Sequence, residues 1–246
     1  MRLLSRLLRR PSPPPPFTAP LALPAPVAVI GDVHGCDALL GALLDRIARD
    51  LDCQVVCVGD IVDRGEESAA AIDRLMARPE ILCLKGNHEA MLLSFLDEPE
   101  RNAERWLRYG GLQTLASFGV GGPNPAAGRD MQRVRDDLAR AMGDARIDWL
   151  RDRPLTWASG NLLVTHAGAD PARAPDDQRS RDLLWGPPAF MTETRTDGTW
   201  VAFGHVIQDA PFAAEGRIAV DTGAFATGIL TAAIIGDGPV RFLTTG

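Results

Sequence analysis

The sequence predicts a layered α/β sandwich, α/β/β/α, in which two mixed sheets are flanked by helices. Two observations predict it. Early in the chain, three short apolar runs are each followed by a segment with helical periodicity. That order sets parallel strands side by side with crossover helices. From about residue 161 onward, strand-like runs follow one another through short turns, which suits an antiparallel or mixed sheet.

The elements follow in order. PVAVI (26–30) ends in GDVHG, and CDALLGALLDRIARD (36–50) has apolar residues at helical spacing. QVVCV (54–58) ends in GDIVDRG; the helix SAAAIDRLMAR (68–78) follows and stops near Pro79. ILCL (81–84) ends in KGNHE, with EAMLLSFL as a third helix. Residues of about 98–155 are charged and helical, broken by GVGGPNPAAG (119–128), and read as a cap or insertion. NLLVTHAG (161–168), TWVAFGH (199–205), GRIAVDTG (216–223), GILTAAII (228–235) and VRFLTT (240–245) supply the later strands. Residues 26–246 thus read as one domain. Residues 1–25, basic and then proline-rich, read as a disordered tail, or as a short basic segment that touches a membrane or partner.

Bulk properties exclude several function classes. With 246 residues, 46% of them hydrophobic, the chain can bury a core without metals or disulfides. A metal here would therefore serve chemistry. The formal net charge is −6, and the first ten residues hold four arginines and no acid, so the remainder carries −10. Such a body is a poor general binder of nucleic acid. No run is apolar and long enough for a secretory signal or a membrane span. Four cysteines without a C-x-x-C pair read as reduced thiols, and a cytoplasmic location is expected. No heptad or interface pattern speaks to oligomeric state.

The four histidines, His34, His88, His166 and His205, each follow a strand-like run and each have a glycine within two residues. One such histidine is usually a surface or capping residue; four together point to a site. Asp32 and His34 flank one residue, so in extended backbone both face the same way. Asp60 and Asn87 occupy the corresponding places after the second and third strands. Asp32, His34, Asp60, Asn87, His166 and His205 make six candidate ligands. Six suit two cations sharing a carboxylate better than one cation that keeps a position open for water. Mixed N and O donors without thiolate suit Mn foremost, with Fe or Zn as alternatives. Such pairs serve attack on phosphorus.

The ordered set GDVHG (31–35), GDIVDRG (59–65), GNHE (86–89), HAG (166–168) and GH (204–205) resembles the PPP-type, calcineurin-like metallophosphoesterases. These include serine/threonine protein phosphatases and symmetrical diadenosine tetraphosphate hydrolases. The resemblance covers about residues 26–245, and WLRYGGLQTLASFG, DLLW and DTGAFATGILTA look like its bacterial branch. It implies that Asp32, His34 and Asp60 hold one divalent metal, and Asp60, Asn87, His166 and His205 the second, with a bridging hydroxide as nucleophile. It implies His88 as general acid, Asp63 as its partner, and Arg64 with Asn87 as phosphate ligands.

The expected substrates are phosphoserine and phosphothreonine in proteins. A dinucleoside polyphosphate is the alternative, and a non-catalytic phospho-ligand-binding protein the remote one. Glu89 is expected to be structural, at the first turn of a helix. Lys85, the only lysine of the chain, reads equally as a phosphate contact or a solvated strand end. Asp221 reads as a supporting acid or a turn former; Trp106, Tyr109 and Trp149 read as core or as a substrate groove. Two positions depart from the pattern. Val206 stands after His205 where many relatives have a hydroxyl. Gly186 and Pro187 follow Trp185 where many bacterial relatives have arginine, leaving Arg173, Arg179 and Arg181 as substitutes to test.

Overall fold

A computed structural model describes residues 16–122 and 130–246. The early strands β1 (Val27–Ile30), β2 (Gln54–Cys57) and β3 (Leu82–Cys83) pair in parallel. Their crossovers are α1 (Asp37–Asp50) and α2 (Ser68–Met76), and α3 (Asn87–Asp97) follows β3. The charged middle segment folds as α4 (Pro99–Trp106), a π-turn (Leu107–Gly111), α5 (Leu112–Ser117), α6 (Met131–Met142) and α7 (Asp144–Arg151). The second half holds β4 (Thr156–Ser159), β5 (Leu162–Thr165), α8 (Ser180–Trp185), β6 (Trp200–Phe203), β7 (Phe212–Ala214) and β8 (Arg217–Ala219). It closes with α9 (Ala224–Thr227), β9 (Thr231–Ile235) and β10 (Arg241–Thr244).

The two sheets run β10-β9-β1-β2-β3 and β4-β5-β6-β8-β7. Both are mixed. In the second, β5, β6 and β8 are parallel while β4 and β7 are antiparallel edges. The last two strands leave the second half and join the first sheet, β9 lying antiparallel beside β1.

Side-chain alternation builds the layers. In β1, Val27 and Val29 face the second sheet, while Ala28 and Ile30 face the helices. The inter-sheet core adds Val56, Val58, Val164, Ile218 and Ile235. The helical core joins Leu40, Ile72 and Phe95 to Trp106, Leu115 and Leu138. The middle segment therefore shares the main core of the first sheet rather than standing apart from it.

One expectation fails in part. Residues 16–25, assigned by the sequence to a disordered tail, are ordered along the second sheet; residues 1–15 lie outside the described ones. Phe17 meets Trp200 edge-on at 5.1 Å, and Trp200 Nε1 donates to the Ala19 carbonyl. Leu21 and Leu23 pack on the inter-sheet core. Asn161 accepts from Ala22 N–H at 2.8 Å and donates to the Pro20 and Gly198 carbonyls. Proline-rich composition says nothing about such distant partners. Asn161→Ala removes all three bonds, and a loss of about 1–3 kcal/mol of stability is expected in urea unfolding.

Candidate active site

The parallel strands of both sheets deliver their polar ends to one edge, where open α/β sheets bind ligands. Asp32 and His34 follow β1, Asp60 follows β2, and Asn87 and His88 open α3. His166 follows β5 and His205 follows β6. Backbone bonds lock the first two loops together: the N–H groups of Val33 and His34 donate to the Asp60 carbonyl. Of six non-glycine residues with positive φ among the described residues, five lie here: His34, Asp60, Asp63, Arg64 and His205. Such conformations are costly and collect at functional sites.

The six candidate ligands converge. His34 Nε2 lies 3.5 Å from Asp60 Oδ2 and 4.0 Å from Asp32 Oδ2. His166 Nε2 lies 3.4 Å from Asp60 Oδ1 and 2.8 Å from Asn87 Oδ1. Asp60, His166 and His205 present ligand atoms within 4.8 Å of one another, and so do His34, Asp60 and His88. Asp60 belongs to both groups, as a shared carboxylate must. Its Oδ1 also accepts the His88 N–H, so it sits at the positive end of α3. Asp32 accepts the His205 N–H through both oxygens, at 3.1 Å each.

Glycine is required at two of these places. A Cβ on Gly86 would stand 2.1 Å from Asp60 Oδ1, and one on Gly204 would stand 2.0 Å from Asp32 Oδ1.

The donor set fits cations. Nδ1 of His166 faces the Val58 carbonyl at 3.2 Å and Nδ1 of His34 faces that of Val62 at 2.9 Å, so each Nδ1 carries the hydrogen. Each Nε2 then offers a lone pair to the centre. Burial, reinforced by the neighbouring imidazoles and, for His34, by Arg64, holds both imidazoles well below their usual pKa. His166 Nε2 and Asn87 Oδ1 therefore face each other as two acceptors, an arrangement that a cation satisfies. Mixed imidazole, amide and carboxylate donors suit Mn, Fe or Zn.

Burial pushes the Asp32 and Asp60 carboxyls well up, and the charges of Asp221 and Glu89 push the same way. Cation binding must displace those protons. Carboxyls with raised values stabilise the metal-free fold at low pH, and that stabilisation fades as pH rises through the raised values. The lowered imidazoles act oppositely, stabilising above their unfolded value and losing that below about 6.5. Metal binding is thus expected to tighten as pH rises and the two carboxyls give up their protons, with proton release seen calorimetrically in two buffers.

Beside this centre lies a dyad. His88 Nδ1 is 2.7 Å from Asp63 Oδ2, and His88 Nε2 is 3.2 Å from Arg64 Nη2. A guanidinium only donates, so Nε2 is the acceptor and Nδ1–H donates to Asp63. Burial pushes His88 down to about 3 and Asp63 up to about 7. Thr114 Oγ1 and Trp106 Nε1 donate to Asp63 and hold it below where burial alone would put it.

The neighbouring residues sort out as follows. Glu89 is structural: it accepts the N–H groups of Asp60, Ile61, Val62 and Gly86. Lys85 donates through Nζ to the Arg151 carbonyl, at the C-terminal end of α7 where a cation is favoured. Asp221 accepts the Gly223 N–H and so fixes a turn, while its charge raises the pKa of Asp32. Trp106 is fully buried and Tyr109 is half-exposed. Arg173 pairs with Asp177, and Arg179 and Arg181 are exposed. The guanidinium stacked on Trp185 belongs to Arg105, at 4.3 Å.

Sequence reasoning missed Trp106 and Thr114 as partners of Asp63, and Phe225, whose ring lies 4.8 Å from Arg64 Cζ and 5.3 Å from the His34 ring. The eight-residue step from Trp106 to Thr114 was readable only as helix periodicity.

Comparison with known proteins agrees with this geometry. Residues 25–209 match the family model described as calcineurin-like phosphoesterase. A symmetrical bis(5'-nucleosyl)-tetraphosphatase of Janthinobacterium sp. is 34% identical over 146 residues, 58% of this chain and 43% of that protein. The chain thus spans less than half the length of that relative. Serine/threonine-protein phosphatase 2 of Salmonella typhimurium is 26% identical over 221 residues, covering 82% of this chain and 89% of its own. A serine/threonine phosphatase structure from Saccharomyces cerevisiae superposes with a TM-score of 0.52 at 18% identity, over 89% of this chain and 79% of that one. That likeness is one of fold.

Proposed function

The chain belongs to the calcineurin-like phosphoesterase family, and on that footing we propose that it hydrolyses phosphomonoesters, acting on phosphoserine and phosphothreonine in proteins. One observation carries the reading: Asp60 is common to two imidazole clusters, with the His88–Asp63 dyad against it. Asp32, His34 and Asp60 would hold one divalent cation, and Asp60, Asn87, His166 and His205 another. Bound cations supply the acidity that makes water a nucleophile at neutral pH, and they neutralise phosphate charge.

The chain's own residues do the rest. Arg64 grips phosphate oxygens with its planar fork, together with the Asn87 amide. As Arg64 turns to phosphate its charge moves off Nε2 of His88, which then takes up a proton from solvent and passes it to the departing alkoxide. Asp63 holds Nδ1–H and steadies the imidazolium that results. The match to a serine/threonine phosphatase over 82% of this chain and 89% of that one supports protein substrates. The 34% identity to symmetrical tetraphosphatases supports a dinucleoside polyphosphate as the second reading.

Metal-stripped protein titrated with Mn, Fe or Zn is expected to hydrolyse p-nitrophenyl phosphate, with Mn the most effective. Phosphopeptides should then exceed diadenosine tetraphosphate in kcat/KM; the reverse order makes the second reading correct. Absence of turnover with every metal would leave a phospho-ligand-binding protein. Among the described residues no helix is long and apolar enough to cross a membrane.

A further inference from the structure

Arg105 lies outside the imidazole–carboxylate centre but against its wall. Trp185, the last residue of α8, meets the His205 ring edge-on, with centroids 6.4 Å apart and planes at 89°. Arg105 Cζ sits 4.3 Å from the centroid of the same indole. The two side chains line a half-open cavity of about 170 Å³ with Ala90, Met91, Ser94 and Asn102. Ala90 and Met91 come three and four residues after Asn87, so they stand on the same face of α3, one turn beyond the site.

The charge on Arg105 is uncommitted. Among the described residues it forms no ion pair, whereas its neighbours Arg101 and Arg108 pair with Glu98 and Glu104. The other polar groups of the cavity are engaged within the chain. Ser94 Oγ donates to the Ala90 carbonyl, and Asn102 Nδ2 donates to the Ser94 and Glu98 carbonyls. Stacking uses the face of a guanidinium and leaves its in-plane N–H donors free. Trp185 therefore holds an oriented anion receptor next to His205, while Arg64 stands beside His88.

We propose that Arg105, held by Trp185, binds an anionic group on the leaving portion of the substrate, beyond the phosphate that is cleaved. This rests on the phosphoester-hydrolase reading above. The chemistry required is a second negative charge near the scissile phosphate. It comes from a carboxylate of an acidic phosphopeptide or from a further phosphate of a phosphoanhydride. A monoester with a neutral leaving group makes less use of Arg105, so the residue sets specificity.

The test is competition against p-nitrophenyl phosphate by three ligands. They are a phosphoserine peptide flanked by glutamates, the same peptide flanked by glutamines, and diadenosine tetraphosphate. In Arg105→Gln, the inhibition constant for the acidic peptide or the dinucleotide is expected to rise about two- to fivefold more than that for the neutral peptide, the size of one partly exposed charge contact. The ligand that carries the loss names the source of the anion. Arg105→Lys, which keeps charge but not the planar fork, recovers part of it. Arg108→Ala, exposed on the neighbouring turn, leaves the ratios unchanged. Equal rises for all three ligands, no rise for any, or the same loss in Arg108→Ala would overturn the proposal. If p-nitrophenyl phosphate is not turned over, the hydrolase reading fails by itself, and calorimetric titration of the same ligands still reads the Arg105 contrast.

Discussion

Replacing His88 by asparagine is expected to lower kcat for p-nitrophenyl phosphate by about 10²–10³, within the usual range for a general acid. Asparagine can still place an N–H donor where Nδ1 faces Asp63, but it does not reach the position of Nε2 and carries no transferable proton. It keeps the backbone N–H that His88 gives to Asp60 Oδ1, so the carboxylate shared by the two clusters stays in place. Metal affinity should therefore change only a few-fold. The pH profile separates an acid from a merely structural residue. An acid must be protonated, so the wild-type rate falls as pH rises through the pKa that His88 takes once Arg64 has turned to phosphate, and the variant loses that limb. A variant that keeps both rate and limb would remove His88 from the proton path.

Glu89→Gln is expected to destabilise the metal-free protein by about 3–4 kcal/mol, as the loss of a buried hydrogen-bond network does. The carboxylate of Glu89 is fully buried and accepts four backbone N–H groups at 2.7–3.2 Å. These amides line the turn that carries Asp60, whose φ of 49° needs outside support. A glutamine amide turns its NH2 group toward two of those donors, and donors cannot pair. Against this, removing the charge relieves repulsion that raises the Asp60 pKa. Two buried donors left facing an NH2 group outweigh one like-charge neighbour, so the sign stays destabilising. Urea unfolding reads it, and Mn-dependent turnover should fall as Asp60 loosens. An unchanged midpoint with full activity would show that the turn holds itself.

Much of the site was legible because its chemistry is local. GDVHG, GDIVDRG and GNHE each end a strand, and backbone geometry alone points Asp32 and His34 the same way. The partners of Asp63 were not legible. Trp106 and Thr114 stand 43 and 51 residues from it, on helices whose apolar spacing reads equally well as core. Lys85, which the sequence left open between a phosphate contact and a solvated strand end, shows a different limit. A rare residue beside a catalytic motif invites a functional reading, yet it caps α7.

The amino-acid order was sufficient for the alternation of strand, loop and helix, the layered class and the six candidate ligand positions, because hydrophobic period and glycine-bounded strand ends act within a few residues. Only tertiary structure decided how distant pieces meet. β9 and β10 return to the first sheet, and residues 16–25 line the second. His166 and His205 arrive across the inter-sheet core at Asp60, and Arg105 arrives over Trp185. A strand's period of two is the same whichever neighbour it pairs with. The choice among neighbours is made by complementary packing over the whole molecule, which no short stretch of sequence contains.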